Sequence, residues 1–256
     1  MAIITLTTDL GTTDSYLPSV KGVIYSQLPE VKIIDISNHI EPFNIQQAAY
    51  ILRNCFKDFP AGTVHIISVN DELAVTNQHL VVKAQDHYFI GADNGFFPLL
   101  FNEINAEKII QLTISLTSDC MTFAAKNIFA PAACHLARGG TMEIIGNIIS
   151  DFEVKKMELK AVLQKDVIRG SVVYIDSYGN AITNISKKEF EQVQKGKAFT
   201  ILFGREVEMI TELSKKYMDV PTAEKLALFG ENNQLQIAIN KGNASKLLGL
   251  KLYEII

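Results

Sequence analysis

The chain has 256 residues, of which 48% are hydrophobic and 20% are charged, and its formal net charge is −4. This composition is typical of globular proteins and excludes disordered and collagen-like chains. An acidic chain has no basic excess with which to neutralise a phosphate backbone, so we expect no nucleic-acid partner. The three scattered cysteines, Cys55, Cys120 and Cys134, indicate reduced thiols rather than a disulfide framework.

The amino terminus has no basic stretch before its apolar run, and no segment approaches the roughly 18 apolar residues of a membrane-spanning helix. We therefore expect a cytoplasmic protein without a membrane partner.

The first half of the chain alternates strand-like and helix-like segments. Short β-prone runs predict strands at 2–7, 31–36 and 63–69. Apolar residues at helical spacing predict helices from 17 to 28, from 45 to 56 and from 127 to 136. This βαβαβ order predicts a parallel sheet covered by helices, in an α/β domain spanning residues 1–155.

The character of the sequence changes after about residue 150. Residues 151–165 are rich in charge and form the predicted connection. Beyond them, turn signals at 178–180 and 232–233 separate short alternating runs, at 171–176, 181–185, 199–203, 226–229 and 235–239. This pattern predicts a smaller second domain, residues 166–256, built as a β-sheet or β-barrel of mainly antiparallel strands.

The common catalytic motifs are absent from the sequence. It contains no phosphate-binding loop, no Gly-x-Gly-x-x-Gly turn, no His-Glu-x-x-His helix and no Gly-x-Ser-x-Gly elbow. The five histidines lack the spacing of zinc ligands, so we expect no metal site. His65 lies in an apolar strand and His135 on a helix face, and for both we expect a packing role.

Polar residues follow the predicted strands at 8–9, 37–39 and 70–72, and aspartates stand at similar places at Asp93 and Asp176. In open α/β sheets, ligands bind outside the carboxyl ends of the strands. A single aspartate there is most often a turn or helix cap. It can also accept hydrogen bonds from a ribose diol or hold an ammonium group. Spacing alone leaves both alternatives open.

Several segments match one known family in the same order along the chain. They lie at 7–16, 34–49, 59–65 (Phe-Pro-Ala-Gly-Thr-Val-His), 93–95, 122–131, 174–185 (beginning Tyr-Ile-Asp-Ser-Tyr-Gly-Asn) and 235–244. In these segments the chain resembles the S-adenosyl-L-methionine (SAM) hydroxide adenosyltransferases, relatives of fluorinase and chlorinase. The resemblance implies an α/β domain followed by a β-barrel, and a homotrimer. It also implies SAM bound between the first domain of one subunit and the second domain of a neighbour.

The resemblance also implies roles for individual residues. In the first part of the chain, Asp9 would by position bind the ribose hydroxyls, and Phe43 and Phe123 would line the pocket. In the second part, Asp176 would bind the methionine ammonium group, Tyr178 would stack on adenine and Asn180 would bind an adenine edge. The aromatic residues fit core packing equally well, because burial and stacking demand the same residue types. SAM would be substrate or ligand, and no further cofactor is implied.

Three positions depart from the family pattern. The hydrolases activate water with an aspartate, an arginine and a histidine, and these positions are Asn70, Asn77 and Ala124 here. Sliding the first loop by one residue puts Asp71 at the acidic position but supplies no arginine. A positioned acid–base residue is commonly worth about 10²–10⁴-fold in rate, so the replacements predict poor hydrolysis.

Three functions remain open from the sequence. The chain could cleave SAM through substitute residues, for which the nearby candidates are Asp71, Glu72, His79 and Lys126. It could instead be a catalytically silent trimer that binds SAM or a nucleoside and acts as a sensor or partner-binding protein. A halide nucleophile needs no deprotonation, but the acidic loop at Asp71 and Glu72 would repel an anion.

Overall fold

The computed structural model describes residues 2–74, 77–101, 104–113, 122–152, 159–204 and 208–256. The chain divides into two compact units, residues 1–157 and 158–256. Within the described ranges, no helix has the length and apolar character needed to cross a membrane. Cys120, one of the three cysteines, lies outside the described residues.

The first unit is built on a seven-stranded sheet in the order β2-β1-β3-β5-β4-β6-β7. Its strands are β1 (Ile3–Thr8), β2 (Lys32–Ser37), β3 (Val64–Ser68), β4 (His79–Ala84), β5 (His87–Ala92), β6 (Lys108–Leu112) and β7 (Gly146–Ile149). Strands β2, β1, β3 and β5 are parallel, which confirms the parallel sheet expected from the βαβαβ order. The remaining pairs are antiparallel, so the complete sheet is mixed.

The antiparallel half begins at a tight hairpin between β4 and β5. The two turn residues, Gln85 and Asp86, have φ of 49° and 61°. Two consecutive positive φ angles are typical of the two-residue turns whose twist matches that of paired strands. Because this turn reverses the chain at once, β4 and β5 pair antiparallel instead of being joined through a helix.

Helices cover both faces of the sheet and are α1 (Tyr16–Gln27), α2 (Ile45–Arg53), α3 (Phe96–Phe101) and α4 (Ala130–Ala137). Buried residues of α1 and α4 pack in one apolar core, and those of α2 and α3 pack in a second core. Asn44 caps the amino terminus of α2, because its side-chain oxygen accepts the backbone N–H of Gln47 at 3.0 Å. The first unit is therefore a helix–sheet–helix sandwich.

The helix predicted at 127–136 has an unusual first turn. Residues Ala125–Phe129 form a π-helical turn that leads into α4, and Pro131 lies in the first turn of α4. Pro is tolerated there because the first backbone N–H groups of a helix have no partner within it. π-helical turns occur frequently at functional sites, and this one starts directly after Ala124.

The second unit contains a four-stranded antiparallel sheet in the order β10-β11-β15-β14 and two two-stranded ribbons, β8–β9 and β12–β13. The strands are β8 (Val162–Leu163), β9 (Ile168–Arg169), β10 (Val172–Ile175), β11 (Ala181–Ser186), β12 (Ile201–Phe203), β13 (Glu208–Ile210), β14 (Lys225–Phe229) and β15 (Gln234–Ile239). Helices α5 (Lys187–Gln194) and α6 (Ala244–Leu248) complete the unit. The antiparallel pairing is confirmed, and closure into a barrel stays a prediction.

Candidate functional site

The polar loops that follow β1, β2 and β3 meet at the carboxyl edge of the parallel strands. Thr8 Oγ1 donates a hydrogen bond of 2.9 Å to Asn38 Oδ1, and the backbone N–H of Gly11 donates to the Asn38 carbonyl at 2.8 Å. The backbone N–H of Asp9 donates to the Ser68 carbonyl at 3.3 Å. The structure therefore brings together the three loops that the sequence placed at this edge.

Asp9 also fixes the neighbouring aromatic residue. Its Oδ2 accepts the backbone N–H of Phe43 at 2.9 Å. Phe43 has a left-handed φ of 66°, and 72% of the residue is exposed. Left-handed backbone is unfavourable for a residue with a bulky side chain, so an ionised acceptor at its N–H helps to stabilise this conformation. Two of the six residues that the family resemblance placed in the ligand site are thus joined by a hydrogen bond.

The loop at residues 69–72, which follows β3, is held by side chains from outside it. Asn94 Nδ2 donates to the carbonyls of Val69 and Asn70, at 3.0 and 2.9 Å. Asn77 Nδ2 donates to the carbonyls of Asn70 and Glu72, at 3.3 and 2.6 Å.

The remaining carbonyl of the 69–72 loop, that of Asp71, is also bonded. His79 Nε2 lies 2.7 Å from it, so this ring nitrogen carries the proton. Every carbonyl of the loop is therefore bonded to a side chain.

Asp71 has the most perturbed carboxyl of this loop. Burial raises its pKa above the ordinary value, and the negative charges of Asp9 and Glu72 raise it further. A hydrogen bond from Ser68 Oγ to Asp71 Oδ2, at 2.7 Å, acts in the opposite direction. Ser68 links the two aspartates, because its carbonyl accepts the backbone N–H of Asp9 and its hydroxyl donates to Asp71, so the carboxyl edge carries two carboxyl groups.

The three positions that the family resemblance assigns to water activation present no ionisable side chain here. Asn70 is exposed and has a left-handed φ of 51°. The amide of Asn77 is directed at the loop backbone, and Ala124 is only 2% exposed, at the start of the π-helical turn. None of them can take a proton from water.

Phe123 lies beside Ala124, and its ring meets that of Tyr16 edge-on with 5.5 Å between the ring centroids. Phe123 is partly buried and packs against the core that contains α1 and α4, whereas Tyr16 is 52% exposed. The pair has one apolar side and one open side, which suits both packing and contact with a flat ligand ring.

Three histidines of this unit and the candidate Lys126 are less suited to proton transfer. His65 is fully buried, accepts or donates a 2.7 Å hydrogen bond with Thr5 Oγ1 and stacks on the Phe89 ring, which confirms its packing role. His135 Nε2 bonds the Thr141 carbonyl at 2.9 Å. Burial lowers the pKa of His79, and Lys126 lies half-buried in the π-helical turn.

In the second unit, Asp176 organises the turn between β10 and β11. Its Oδ1 accepts the backbone N–H groups of Tyr178 and Asn180, at 2.9 and 2.8 Å, and its Oδ2 accepts Asn180 Nδ2 at 2.9 Å. Asn180 is only 5% exposed, while Tyr178 is 78% exposed. The structure therefore gives Asp176 and Asn180 a part in shaping the turn and leaves the Tyr178 ring open.

Gly179 is required at the centre of this turn. Its φ is +85°, and a Cβ at this position would lie 2.2 Å from side-chain atoms of Asn243. The Gly179 carbonyl also accepts the backbone N–H of Ser245 at 2.8 Å, which joins the turn to the start of α6. Any other residue here would displace the 176–180 turn.

Tyr217 is a further candidate that the sequence analysis did not identify. Its hydroxyl donates to Gln236 Oε1 at 3.1 Å, and the negative charge of Asp176 adds to burial in raising its pKa. Tyr217 follows two lysines and precedes Met218-Asp219-Val220-Pro221, with no periodicity to mark it. Only the folded chain brings it to Gln236, which pairs with Ile182 of β11.

The two units together define a class of protein. A parallel-rich α/β unit with carboxylates at its carboxyl edge precedes a separate antiparallel β unit whose turn residues include an exposed tyrosine. Residues 4–146 match the family model described as the SAM hydroxide adenosyltransferase N-terminal domain, and residues 170–256 match the model of the corresponding C-terminal domain. The chain belongs to the SAM hydroxide adenosyltransferase family.

Individual relatives are consistent with this assignment. An (R)-S-adenosyl-L-methionine hydrolase of Methanocaldococcus jannaschii is 33% identical over 192 residues, covering 73% of this chain and 68% of the relative. A fluorinase of Nocardia brasiliensis is 25% identical, covering 76% and 74%. The crystal structure of a conserved protein from Thermotoga maritima superposes with a TM-score of 0.89 at 30% identity, covering 100% of this chain and 98% of that one.

Proposed function

We propose that this protein binds SAM, or the adenosine formed from it, at a site shared between the subunits of a homotrimer, and that it hydrolyses SAM slowly. In this proposal Asp9, Phe43 and Phe123 come from one subunit, and Asp176, Tyr178 and Asn180 come from a neighbour. Membership of the family supports SAM as the ligand, because the related proteins of Methanocaldococcus jannaschii and Nocardia brasiliensis are a SAM hydrolase and a fluorinase.

The main support for the proposal is that only one oxygen of the Asp9 carboxylate is occupied by a hydrogen bond. Its Oδ2 holds the Phe43 backbone, and its Oδ1 has no hydrogen-bond partner among the described residues. A carboxylate accepts through two oxygens with about four lone-pair sites, so Asp9 retains capacity for hydroxyl donors. A ribose diol supplies two adjacent hydroxyls, and Phe43 would stand next to it.

Asp176 has limited capacity to bind the ammonium group of the methionine part of SAM. Three donors of its own turn occupy its two oxygens, which leaves about one acceptor site for an ammonium group. Asn180 is engaged with Asp176, so an adenine edge would meet its amide oxygen or its second amide hydrogen. We propose that Tyr217, whose pKa is raised by burial and by the charge of Asp176, belongs to this half of the site.

We propose a slow rate because the nucleophile, water, has no base to activate it at the family's catalytic positions. The sulfonium of SAM already makes the ribose C5′ electrophilic, so the leaving group needs no activation. Bulk water has a pKa of about 15.7 and requires a base in the absence of a metal. Asn70, Asn77 and Ala124 offer none.

We further propose that the protein acts in the cytoplasm. Burial and the nearby Asp58 raise the pKa of the Cys55 thiol to about 11, and burial raises the pKa of Cys134. Both thiols are therefore protonated near neutral pH and suit a structural role in a reducing compartment.

The test combines chromatography with calorimetry. Purified protein is incubated with SAM, and adenosine, methionine and 5′-halo-adenosine are measured, while titration calorimetry gives the affinity for SAM and for adenosine. Binding with slow adenosine release supports the proposal. Binding without any product identifies the silent trimer, 5′-halo-adenosine identifies a halide nucleophile, and the absence of binding to either ligand refutes the proposal.

A further inference from the structure

The second unit contains a cavity of about 820 Å³ that the proposed SAM site does not use. Residues of α5, of β12, of the turn in the β8–β9 ribbon and of the segment 255–256 line it. Ile185, near the end of β11, lies in its wall, whereas the 176–180 turn with the proposed ligand residues precedes the start of β11. The cavity is therefore a separate site, and its volume is in the range of about 300–1,000 Å³ that is typical of small-molecule sites.

The wall of the cavity is apolar. Phe190 of α5 meets the rings of Phe199 and Phe229 edge-on, with 5.0 and 5.5 Å between the ring centroids, and this packing fixes the position of its ring. Protein interiors are close-packed, with few voids larger than a water molecule, so an apolar space of this size is suited to an apolar guest. Besides Phe190 and Phe199, the apolar lining residues include Val193, Ile201 and Leu235.

The apolar lining continues to the surface of the unit. Val167, Leu202 and Ile255 all line the cavity, and they are 47%, 50% and 67% exposed. Single exposed apolar residues are common on proteins, but a group of them around one concave site is typical of a ligand-binding groove. An aliphatic chain can therefore enter the cavity from solvent along apolar surface.

An ion pair joins two sides of the cavity. Lys197 Nζ donates to Asp166 Oδ1 at 3.0 Å. Asp166 lies in the turn of the β8–β9 ribbon, and Lys197 follows the end of α5. The two side chains are 66% and 57% exposed, and exposed ion pairs contribute little to stability. An incoming anion can therefore replace Asp166 as the partner of Lys197 at little cost.

Arg169 of β9 supplies a second cation. Among the described residues, three charged side chains line the cavity, those of Asp166, Arg169 and Lys197. Asp166 and Lys197 are paired with each other, whereas the Arg169 guanidinium has no hydrogen-bond or ion-pair partner within the described ranges. A guanidinium binds a carboxylate through two parallel hydrogen bonds. The charge of these side chains therefore favours an anionic group on the guest.

We propose that this cavity binds an aliphatic carboxylate, a medium-chain fatty acid in its ionised form. Its alkyl chain lies against Phe190 and Phe199. Its carboxylate is bound by Arg169, and Lys197 exchanges Asp166 for the same carboxylate. The proposal goes beyond the proposed function and does not depend on it, because the cavity shares no residue with the proposed SAM site.

Titration calorimetry of the full chain with octanoate tests the proposal. We expect saturable binding of octanoate. Octan-1-ol and octylammonium have the same alkyl chain, but they lack the negative charge. Both should therefore bind at least about threefold more weakly than octanoate, because only a carboxylate pairs with Arg169 and Lys197.

Two charge variants should act in opposite directions. Arg169→Gln should weaken octanoate binding by about three- to tenfold, because it removes the unpaired cation. Asp166→Asn should strengthen it by about threefold, because it removes a like charge and frees Lys197. The control is Lys241→Gln, an exposed lysine beyond the end of β15 opposite to Leu235, which should leave the Kd unchanged.

A third variant fills the cavity. Val193 lies on α5 and lines the cavity, so Val193→Phe places a larger side chain in the space that the alkyl chain needs. We expect this variant to lose octanoate binding while it stays folded by circular dichroism. If it does not fold, the opposite effects of Arg169→Gln and Asp166→Asn, both at exposed side chains, decide the matter.

The remaining outcomes overturn the proposal. They are the absence of octanoate binding, equal affinity for octanoate and octylammonium, unchanged octanoate affinity in both charge variants, and unchanged binding in a folded Val193→Phe variant. SAM and adenosine are titrated separately. Failure of those titrations would refute the proposed function and leave the octanoate result unaffected.

Discussion

Asp9 Oδ2 and the backbone N–H of Phe43 are joined by a 2.9 Å hydrogen bond between residues 34 positions apart. The bond connects the loop after β1 with the turn before α2, and it holds Phe43 in a left-handed conformation. Removing the Asp9 side chain therefore has two consequences. It deletes a carboxylate that a ribose could use, and it releases an exposed aromatic ring from its position.

The first prediction separates these two consequences. Asp9→Ala should weaken SAM or adenosine binding by about tenfold or more, because a hydrogen bond to a charged group contributes about 1.5–3 kcal/mol. Asp9→Asn keeps an acceptor for Phe43 and should show an intermediate loss. Calorimetry on both variants and on Asp71→Ala makes the comparison. Equal affinities for Asp9→Ala and Asp71→Ala would show that Asp9 is only a turn residue.

The second prediction concerns assembly. A ligand site that draws residues from two subunits requires an oligomer, so light scattering at micromolar concentration should give three times the chain mass of 28.4 kDa. The measurement is repeated with SAM present, because a ligand that binds across an interface stabilises the assembly. A monomer under both conditions would remove the shared-site argument.

The fold was predictable where a pattern is local. Helices α1 and α2 and strands β1 to β3 have clear periodicity, and their bounds differ from the predicted ones by one residue at most, apart from the end of α2, which lies three residues earlier. The hairpin between β4 and β5 had no such signal, because Gln85-Asp86 is not a typical turn pair for positive φ. The mixed character of the sheet depends on that turn and could not be read from the sequence.

The candidate site also has features that the sequence predicts and features that depend on the tertiary structure. That the loops after β1, β2 and β3 meet follows from parallel topology alone. The bonds from Asn77, His79 and Asn94 to the 69–72 loop depend on the pairing of β4 with β5, which the sequence analysis did not predict. For this reason the sequence showed Asn77 only as a lost arginine.

The third prediction is a pH dependence of stability. Burial, and then the charge of His87, lowers the pKa of His65 to about 3, from an ordinary value near 6.5. Below about pH 6.5, His65 therefore binds a proton in the unfolded chain but not in the folded chain. The free energy of unfolding should fall as pH falls from about 6.5 toward about 3, by up to about 1.4 kcal/mol per pH unit. Urea unfolding between pH 7.5 and 5.5 measures the slope.

Two variants test whether His65 causes this pH dependence of stability, His65→Gln and its control His39→Gln. The first removes the buried histidine and should flatten the pH dependence, although it also lowers stability at pH 7.5. The second removes an exposed histidine and should keep the slope, because His65 is still present. Burial also lowers the pKa values of His79 and His87, so a smaller slope should remain in His65→Gln. A slope as steep as that of the unmodified protein would contradict the assignment.

The fourth prediction uses two threonines of β1 that are both fully buried. Thr5 Oγ1 bonds His65 Nδ1 at 2.7 Å, whereas Thr7 Oγ1 has no hydrogen-bond partner within the described part of the chain. Leaving a buried polar group without a partner costs about 1–3 kcal/mol. Thr5→Val should therefore destabilise the protein by about that amount, and Thr7→Val should be neutral or stabilising in urea unfolding. Equal losses would show that Thr7 has a partner.

The last prediction tests whether the three replaced residues limit turnover. Asn70→Asp, Asn77→Arg and Ala124→His together should raise adenosine formation by more than the product of the single effects, because the three groups would act on one water. Asn77→Arg alone should slow turnover, since it removes the bonds to the carbonyls of Asn70 and Glu72.

The same experiment carries a known cost in stability. Ala124 is 2% exposed, so the larger side chain in Ala124→His does not fit without displacing its neighbours. We expect this variant to lose about 1–3 kcal/mol in free energy of unfolding and to melt at a lower temperature. The rate comparison is therefore made on a triple variant that is folded by circular dichroism, keeps its oligomeric state and binds SAM in calorimetry. If such a variant forms adenosine no faster than the unmodified protein, loss of the three residues does not explain slow hydrolysis. Turnover would then be limited by the geometry of the 69–72 loop itself.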